Sequence, residues 1–361
     1  MTATSTLAPG ARTTFHPLTV SAVDRLTDDA VAVTFAVPED LREDFDFAAG
    51  QSLTLRRVID GEEHRRSYSI CAPVGAAPRI GVREIPDGLF SRWLVHEVRP
   101  GDRIEVQPPS GSFRADPSPA GRHLCIAAGS GITPMLSIAS SVLAHPDAEV
   151  TLLYGNRATA TVMFAEELAD LKDAHHDRFG LVHVLSREPR DVDLFSGRLD
   201  GERLRELLTR LVPVGDMDHV WLCGPVAMLT EARTVLTDLG VSSDRVHAEL
   251  FHVDEPPPQL RHPERVVEGV TSDVTLVLDG RSATTPMPRD STILDAAQRT
   301  RSDLPFACKG GVCGTCRARI REGDVDMVRN YALEPHEVER DFVLTCQSFP
   351  VSDEIVVDFD A

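Results

Sequence analysis

Four cysteines set the tightest limit on what this chain can fold into. Three lie in one glycine-rich loop, "CKGGVCGTC", as Cys308-x4-Cys313-x2-Cys316, and the fourth, Cys346, follows after 29 further residues. Zinc sites are usually built from two paired knuckles, each supplying two ligands from a short loop. Here one loop supplies three ligands and a distant strand the fourth, which is the spacing that holds a [2Fe–2S] cluster. A zinc ion, or a redox-active disulfide within "CGTC", is the competing reading. Gly310, Gly311 and Gly314 are expected to adopt positive φ and to bring backbone N–H donors close to the negative sulfurs.

The chain has 361 residues, more than a single core usually serves, so two or three domains are expected. Hydrophobic residues make up 42% and charged residues 26%, which calls for folded domains and not disorder. A formal charge of −19 argues against nucleic acid or an anionic membrane as partner and permits a basic docking partner. No stretch reaches the roughly 18–20 apolar residues of a spanning helix. The start, "MTATSTLAPGARTTFHP", has no charged region followed by an apolar run, so residues 1–14 read as a loose leader and not as a secretory signal. Seven cysteines, an odd number with four clustered late, fit a cytoplasmic setting better than a disulfide framework. Cys71, Cys125 and Cys223 lie in apolar or glycine-rich contexts and read by default as buried free thiols.

Short β-like runs ("AVAVTFAVP", "QSLTLRRV", "RRSYSIC", "RIGVREI", "DRIEVQPP") alternate with Gly and Pro turns over residues 15–118, which predicts an antiparallel β-barrel. Over 119–251 the pattern becomes strand then helix: "HLCIAA", "TPMLSIASSVLAH", "AEVTLLYGN", "FAEELADLKDAH", "GLVHVLSRE", "GERLRELLTRL", "DHVWLCGP". That alternation predicts a doubly wound parallel α/β sheet. Residues 252–269, with four prolines and many charges, read as a linker. Residues 270–361 form a third unit with strands "DVTLVLDG", "FVLTC" and "EIVVDF", a helix at "TILDAAQRT" and the cysteine loop.

A [2Fe–2S] centre takes one electron at a time and a nicotinamide gives two, so a flavin is expected between them. "RRSYSI" (65–70), "PDGLFSRWL" (86–94), "PPSGSF" (108–113), "AAGSGITPM" (127–135), "CGP" (223–225), "ELF" (249–251) and the cysteines occur in the order found in the ferredoxin–NADP reductase superfamily with a C-terminal β-grasp ferredoxin domain, which the chain resembles. The resemblance implies a flavin held by Arg66, Ser67, Tyr68, Ser69, Val82, Gly88, Leu89 and Ser91. Arg66 would pair with its phosphate, Tyr68 pack on the ring and Ser69 bond near N5. Asp87 stands where the family often has a second glycine. "PPSGSF" would be the closing barrel strand. The motif R-x-Y-S serves FMN as well as FAD, and the layout implies FAD.

For the nucleotide, Gly129 and Gly131 allow close backbone approach, Pro134 suits a first helical turn, and Thr133 lies between. Asn156, Arg157, Ser186, Arg187, Gly224 and Pro225 are the further candidates at strand ends, with Cys223 near the nicotinamide and Glu249 and Phe251 closing back towards the flavin. Ser69, Cys223 and Glu249 are the catalytic candidates. Arg157 and Arg187, with Ser186, would bind a 2′-phosphate, so NADPH is expected over NADH. The segments "YGNRATATVMFAEELADLKD", "VLSREP", "GRLD" and "VRNYALEPHEVERDFVLTCQSFP" resemble the reductase subunits of phenylacetyl-CoA epoxidases. This implies electron delivery to a di-iron oxygenase. The alternatives are a reductase for a Rieske-type steroid 9α-hydroxylase and, in another class, a [2Fe–2S] redox sensor or binding module.

Overall fold

The structure, a computed structural model, describes residues 14–59, 61–117, 120–252, 269–301 and 303–361. Apart from their end residues, the expected leader and linker lie outside these. The described residues gather into two compact units: 17–53 with 68–252, and 14–16 with 54–67 and 269–361.

The N-terminal part of the chain supplies β1 (His16–Thr27), β2 (Ala30–Ala36), β3 (Ser52–Ile59), β4 (Glu62–Ser69), β5 (Arg79–Arg83), α1 (Leu89–His96) and β6 (Arg103–Val106). In the first unit β6, β1, β2 and β5 are neighbours in that order, with β1–β2 and β2–β5 antiparallel. The alternation Ala-Val-Ala-Val in β2 sorts its side chains by size. Ala30 and Ala32 join the core that holds Ile132, Met135 and Phe164, while Val31, Val33 and Phe35 alternate to the opposite face. The small residues let the two layers approach. At Gly81 in β5 a Cβ would sit 2.5 Å from Thr133 Cγ2. "PPSGSF" is not a regular strand. It keeps one antiparallel bridge, Ser52 to Ser110, because Pro108 and Pro109 have no N–H to give a ladder.

The same unit continues with β7 (Arg122–Ala128), α2 (Ile132–Val142), β8 (Glu149–Asn156), α3 (Ala165–Ala174), β9 (Phe179–Leu185), α4 (Gly201–Leu211), β10 (His219–Pro225), α5 (Val226–Asp238) and β11 (Val246–His252). All pairings are parallel, in the order β11-β10-β7-β8-β9. The first strand is central and the chain winds outward in both directions, so the switch point falls between β7 and β10, where such sheets bind ligands. Leu124 to Ala127 of β7 are fully buried, as a central strand covered on both faces requires.

The second unit contains the β3–β4 hairpin from Thr54 to Ser67 together with β12 (Thr271–Leu278), β13 (Arg281–Pro288), α6 (Ile293–Ala297), β14 (Arg317–Glu322), β15 (Val325–Met327), α7 (Pro335–Val338), β16 (Phe342–Leu344), β17 (Ser348–Pro350) and β18 (Glu354–Asp358). The five-stranded sheet runs β13-β12-β18-β14-β16, parallel only between β12 and β18. Helix α6 is capped by Thr292, which accepts from Asp295 N–H, and sinks Ile293, Leu294, Ala296 and Ala297 into one core with Leu276, Leu344 and Cys346. A mixed sheet grasping one short helix is the α+β ferredoxin arrangement.

Candidate redox site

The cysteine loop wraps around backbone donors. Gly310 and Cys313 N–H groups donate to Cys308 Sγ at 3.3 and 3.4 Å, and Gln347 Nε2 donates to Cys346 Sγ at 3.5 Å. The thiols come as two pairs. Cys313 is hydrogen-bonded to Cys308, and Cys316 to Cys346. A bond from the Cys313 thiol, aided by N–H donors, holds Cys308 well below the ordinary thiol range, at about 5. A two-iron cluster takes two protein sulfurs on each iron, so two pairs fit it. None of the seven cysteines is in a disulfide.

Gly311 and Gly314 do take positive φ, at 78° and 65°, but Gly310 does not. Lys309 does instead, at 53°. Its carbonyl accepts from Gln347 Nε2 and its ammonium pairs with Asp295 at 2.9 Å, which together hold the unusual backbone. The segment before Cys346 is built onto this loop, with Tyr331 N–H donating to Gly311 O at 3.1 Å.

On β4 successive side chains alternate. Arg66 is exposed, its Nη1 donating to Arg65 O at 2.7 Å, which leaves the guanidinium face open to an anion. Tyr68 is half-buried, its ring 6.2 Å from that of Phe90. Ser67 turns its side chain to other partners. Its hydroxyl lies 3.0 Å from Thr54 Oγ1 and 3.4 Å from Thr315 Oγ1 in the cysteine loop. Val82 is buried in β5. "PDGLFSRWL" is the start of α1, with Gly88 as its N-cap and exposed Leu89 as first residue. Its free N–H groups suit a phosphate. Asp87 takes φ 60°, so it occupies the left-handed conformation that a glycine would adopt freely. Ser91 Oγ accepts from Ile85 N–H at 3.0 Å and donates to Gly88 O at 3.4 Å, so its hydroxyl ties the turn itself.

At the switch point Gly129 has φ 56°, and Tyr154 OH donates to its carbonyl at 2.9 Å. Gly131 lies against β10, where a Cβ would stand 2.2 Å from Cys223 O. Helix α2 starts at Ile132, which puts Pro134 in its first turn, and buried Thr133 donates to Ser130 O at 3.0 Å. Gly224 is less tight, a Cβ there meeting the movable end of Met228, Cε, at 2.6 Å, and Pro225 caps α5. Asn156, 8% exposed, has no hydrogen-bond partner at either amide atom. A buried orphan amide at a strand's C-terminal edge fits a ligand that supplies its partners. The ends of β8 and β9 lie side by side, with Ser186 N–H donating to Asn156 O and Arg187 N–H to Arg157 O. Arg187 is exposed, whereas Arg157 is drawn to Asp29 at 3.1 Å.

Ser69, Cys223 and Glu249 come together. Ser69 Oγ donates to Glu249 Oε2 at 3.0 Å, and Glu249 is the register partner of Cys223 on the adjoining strand. Desolvation raises the Glu249 carboxyl to about 7, against the bond from Ser69. Burial, then the neighbouring Glu249, pushes the Cys223 thiol far up, so it stays protonated and is no nucleophile. Phe251 packs half-buried against the same core. Two residues escaped the sequence reading. Arg83, at the end of β5, stands beside Gly129 and pairs with Asp29 at 3.4 Å; its place at a strand end was the available signal. Arg65 carried no signal, since an arginine in a polar strand reads as solvated.

A barrel with a basic strand motif, a doubly wound sheet with a glycine turn, and a ferredoxin loop define a flavin- and iron–sulfur-dependent pyridine-nucleotide oxidoreductase. Three family models match in that order: an oxidoreductase FAD-binding domain over 17–115, an oxidoreductase NAD-binding domain over 125–234, and a 2Fe-2S iron-sulfur cluster binding domain over 276–351. The chain is 44% identical over 355 residues to one of the subunits of 1,2-phenylacetyl-CoA epoxidase from Escherichia coli (strain K12), covering 97% of this chain and 99% of that one. It is 33% identical over 352 residues to the ferredoxin reductase component of 3-ketosteroid-9-alpha-monooxygenase from Rhodococcus rhodochrous, covering 95% and 96%. The solved structure of phthalate dioxygenase reductase, described as modular for electron transfer from pyridine nucleotides to [2Fe-2S], matches with TM-score 0.59 at 24% identity, over 96% of this chain and 98% of that one. The chain belongs to the family of FAD- and [2Fe–2S]-dependent reductase components of oxygenases.

Proposed function

We propose that this reductase takes hydride from NADPH and passes electrons through FAD and its [2Fe–2S] centre to the di-iron oxygenase of a phenylacetyl-CoA epoxidase. The observation that carries this is the 44% identity to the Escherichia coli epoxidase subunit along 99% of its length, against 33% for the steroid relative. A bound flavin would supply the conversion of a two-electron donor to one-electron delivery. The chain's own residues do the rest. Arg66 and the N-terminus of α1 bind phosphate, Tyr68 covers the ring, and Gly131 and Gly224 let the nicotinamide end approach. Glu249, near neutral, holds a proton against Ser69 Oγ. Cys308, Cys313, Cys316 and Cys346 hold the iron.

NADPH is the donor in this reading. Arg187 is exposed at the end of β9 and is the first candidate for the 2′-phosphate, while Arg157 must leave Asp29 to join it. Arg187→Ala is expected to raise KM for NADPH at least tenfold and for NADH under threefold, read from steady-state kinetics. An equal rise in both would place the discrimination elsewhere. The partner is an oxygenase with a basic face, since residues 270–361 carry 16 acidic and 10 basic side chains. The formal charge of −19 argues against nucleic acid or an anionic membrane as partner, and among the described residues no helix is long and apolar enough to cross a membrane. A cytoplasmic setting belongs to this reading, in which four of the seven cysteines serve as cluster ligands and not as a disulfide framework. The test is NADPH-dependent epoxidation of phenylacetyl-CoA by purified oxygenase subunits, expected only when this chain is added. Support of a steroid-hydroxylating Rieske oxygenase, with none for the epoxidase, would overturn the assignment.

A further inference from the structure

We propose that Arg65 is the positioning residue that clasps the cysteine loop to the flavin-motif strand. The inference rests on the flavin and cluster readings above and names the device that couples them.

Arginine is almost never buried unless its charge and donors are matched. Arg65 is 5% exposed and is matched from both ends of the chain. Its Nε donates to Glu63 Oε1 at 2.7 Å, and its Nη1 donates to the carbonyl of fully buried Leu304 at 3.2 Å. Its guanidinium lies 4.1 Å from the centre of the Phe306 ring. Leu304 and Phe306 lead directly into Cys308. Two residues along β4, on the same face, Ser67 Oγ stands 3.4 Å from Oγ1 of Thr315, which lies between Cys313 and Cys316. One face of this strand therefore grips the cysteine loop at its entry and at its far end. The other face carries Arg66.

A planar guanidinium can donate in its plane and stack on an aromatic ring at once, which a lysine cannot. Arg65 forms and breaks no bond in the transfer, in which one electron leaves the reduced flavin and reduces the cluster by one. It sets where the loop sits against the strand that carries Arg66, and electron entry into the cluster slows when that seat loosens.

The test uses the holoprotein with Arg65→Ala, Arg65→Lys and Phe306→Leu. Hydrogen–deuterium exchange of the peptide spanning 304–316 is expected to quicken at least threefold in all three. In anaerobic stopped-flow with NADPH, flavin bleaching is expected to stay within twofold of wild type while cluster bleaching slows at least tenfold. Unchanged exchange at 304–316 would overturn the clasp, and so would faster exchange with an unchanged cluster rate. Phe306→Leu keeps the test open should an Arg65 variant fail to fold. Purified protein without flavin would sink the functional reading, while the exchange result would still judge the clasp.

Discussion

Glu249 is a carboxylic acid that the fold moves well away from its ordinary range. Half-buried and desolvated, its carboxyl is held at about 7, so the folded chain keeps a proton that the unfolded chain gives up near the ordinary value of about 4.3. The sign follows from proton counting. Between those two values the unfolded state binds fewer protons, so stability falls as pH rises and levels off above about 7. Glu249→Gln should abolish that slope and stabilise the protein at pH 8 by about 2 kcal/mol, the shift being discounted for the residue's partial contact with water. Denaturant melts at pH 5 and pH 8 measure this, and an identical difference between the two pH values in both proteins would refute it. At the same scale Tyr68→Ala should loosen the flavin by on the order of 1–3 kcal/mol through lost contact area and stacking. Flavin release on serial dilution is the check, and wild-type retention would count against Tyr68 as the cover.

The element that stands at the switch point of the parallel sheet is the turn from β7 into α2. It is anchored by the Tyr154 hydroxyl on Gly129 O and pressed against β10 at Gly131. Gly131→Ala would drive a Cβ to 2.2 Å from Cys223 O and 2.6 Å from its carbonyl carbon, both backbone atoms that cannot swing aside. Overpacking of this kind costs about 1–3 kcal/mol. A Tm lower by several degrees, together with weaker NADPH binding, is the expected result. A Tm within one degree of wild type would mean that the strands part at no cost. At α1 the same logic explains Asp87. The helix start needs φ near 60° before Gly88, which an aspartate tolerates and a β-branched residue would not.

Across the whole molecule two electron-handling regions are built from separate cores. Cys316 and Cys346 are packed with Leu276, Leu294 and Leu344, while Cys223 lies in the core of the other unit. Cys313→Ala should therefore remove the iron absorbance yet leave NADPH-to-flavin reduction at wild-type rate. Loss of both in visible spectra and stopped-flow traces would show that the units do not function separately. The features legible in the bare sequence are those carried by contiguous residues: the cysteine spacing, the strand and helix alternation, the R-x-Y-S and G-S-G-I-T-P motifs and their order. Period and spacing are local, so these can be read without coordinates. It took the packed fold to show that the cysteines pair 308 with 313 and 316 with 346, and that Lys309, not Gly310, takes the left-handed turn. The same holds for the engagement of Arg157 by Asp29, for the titration of Glu249 near 7, and for Arg65, a residue with no motif of its own, buried against Phe306. Each depends on which groups from distant segments exclude water from a charge or offer it a partner. That is a property of the packed chain and of no single stretch of it.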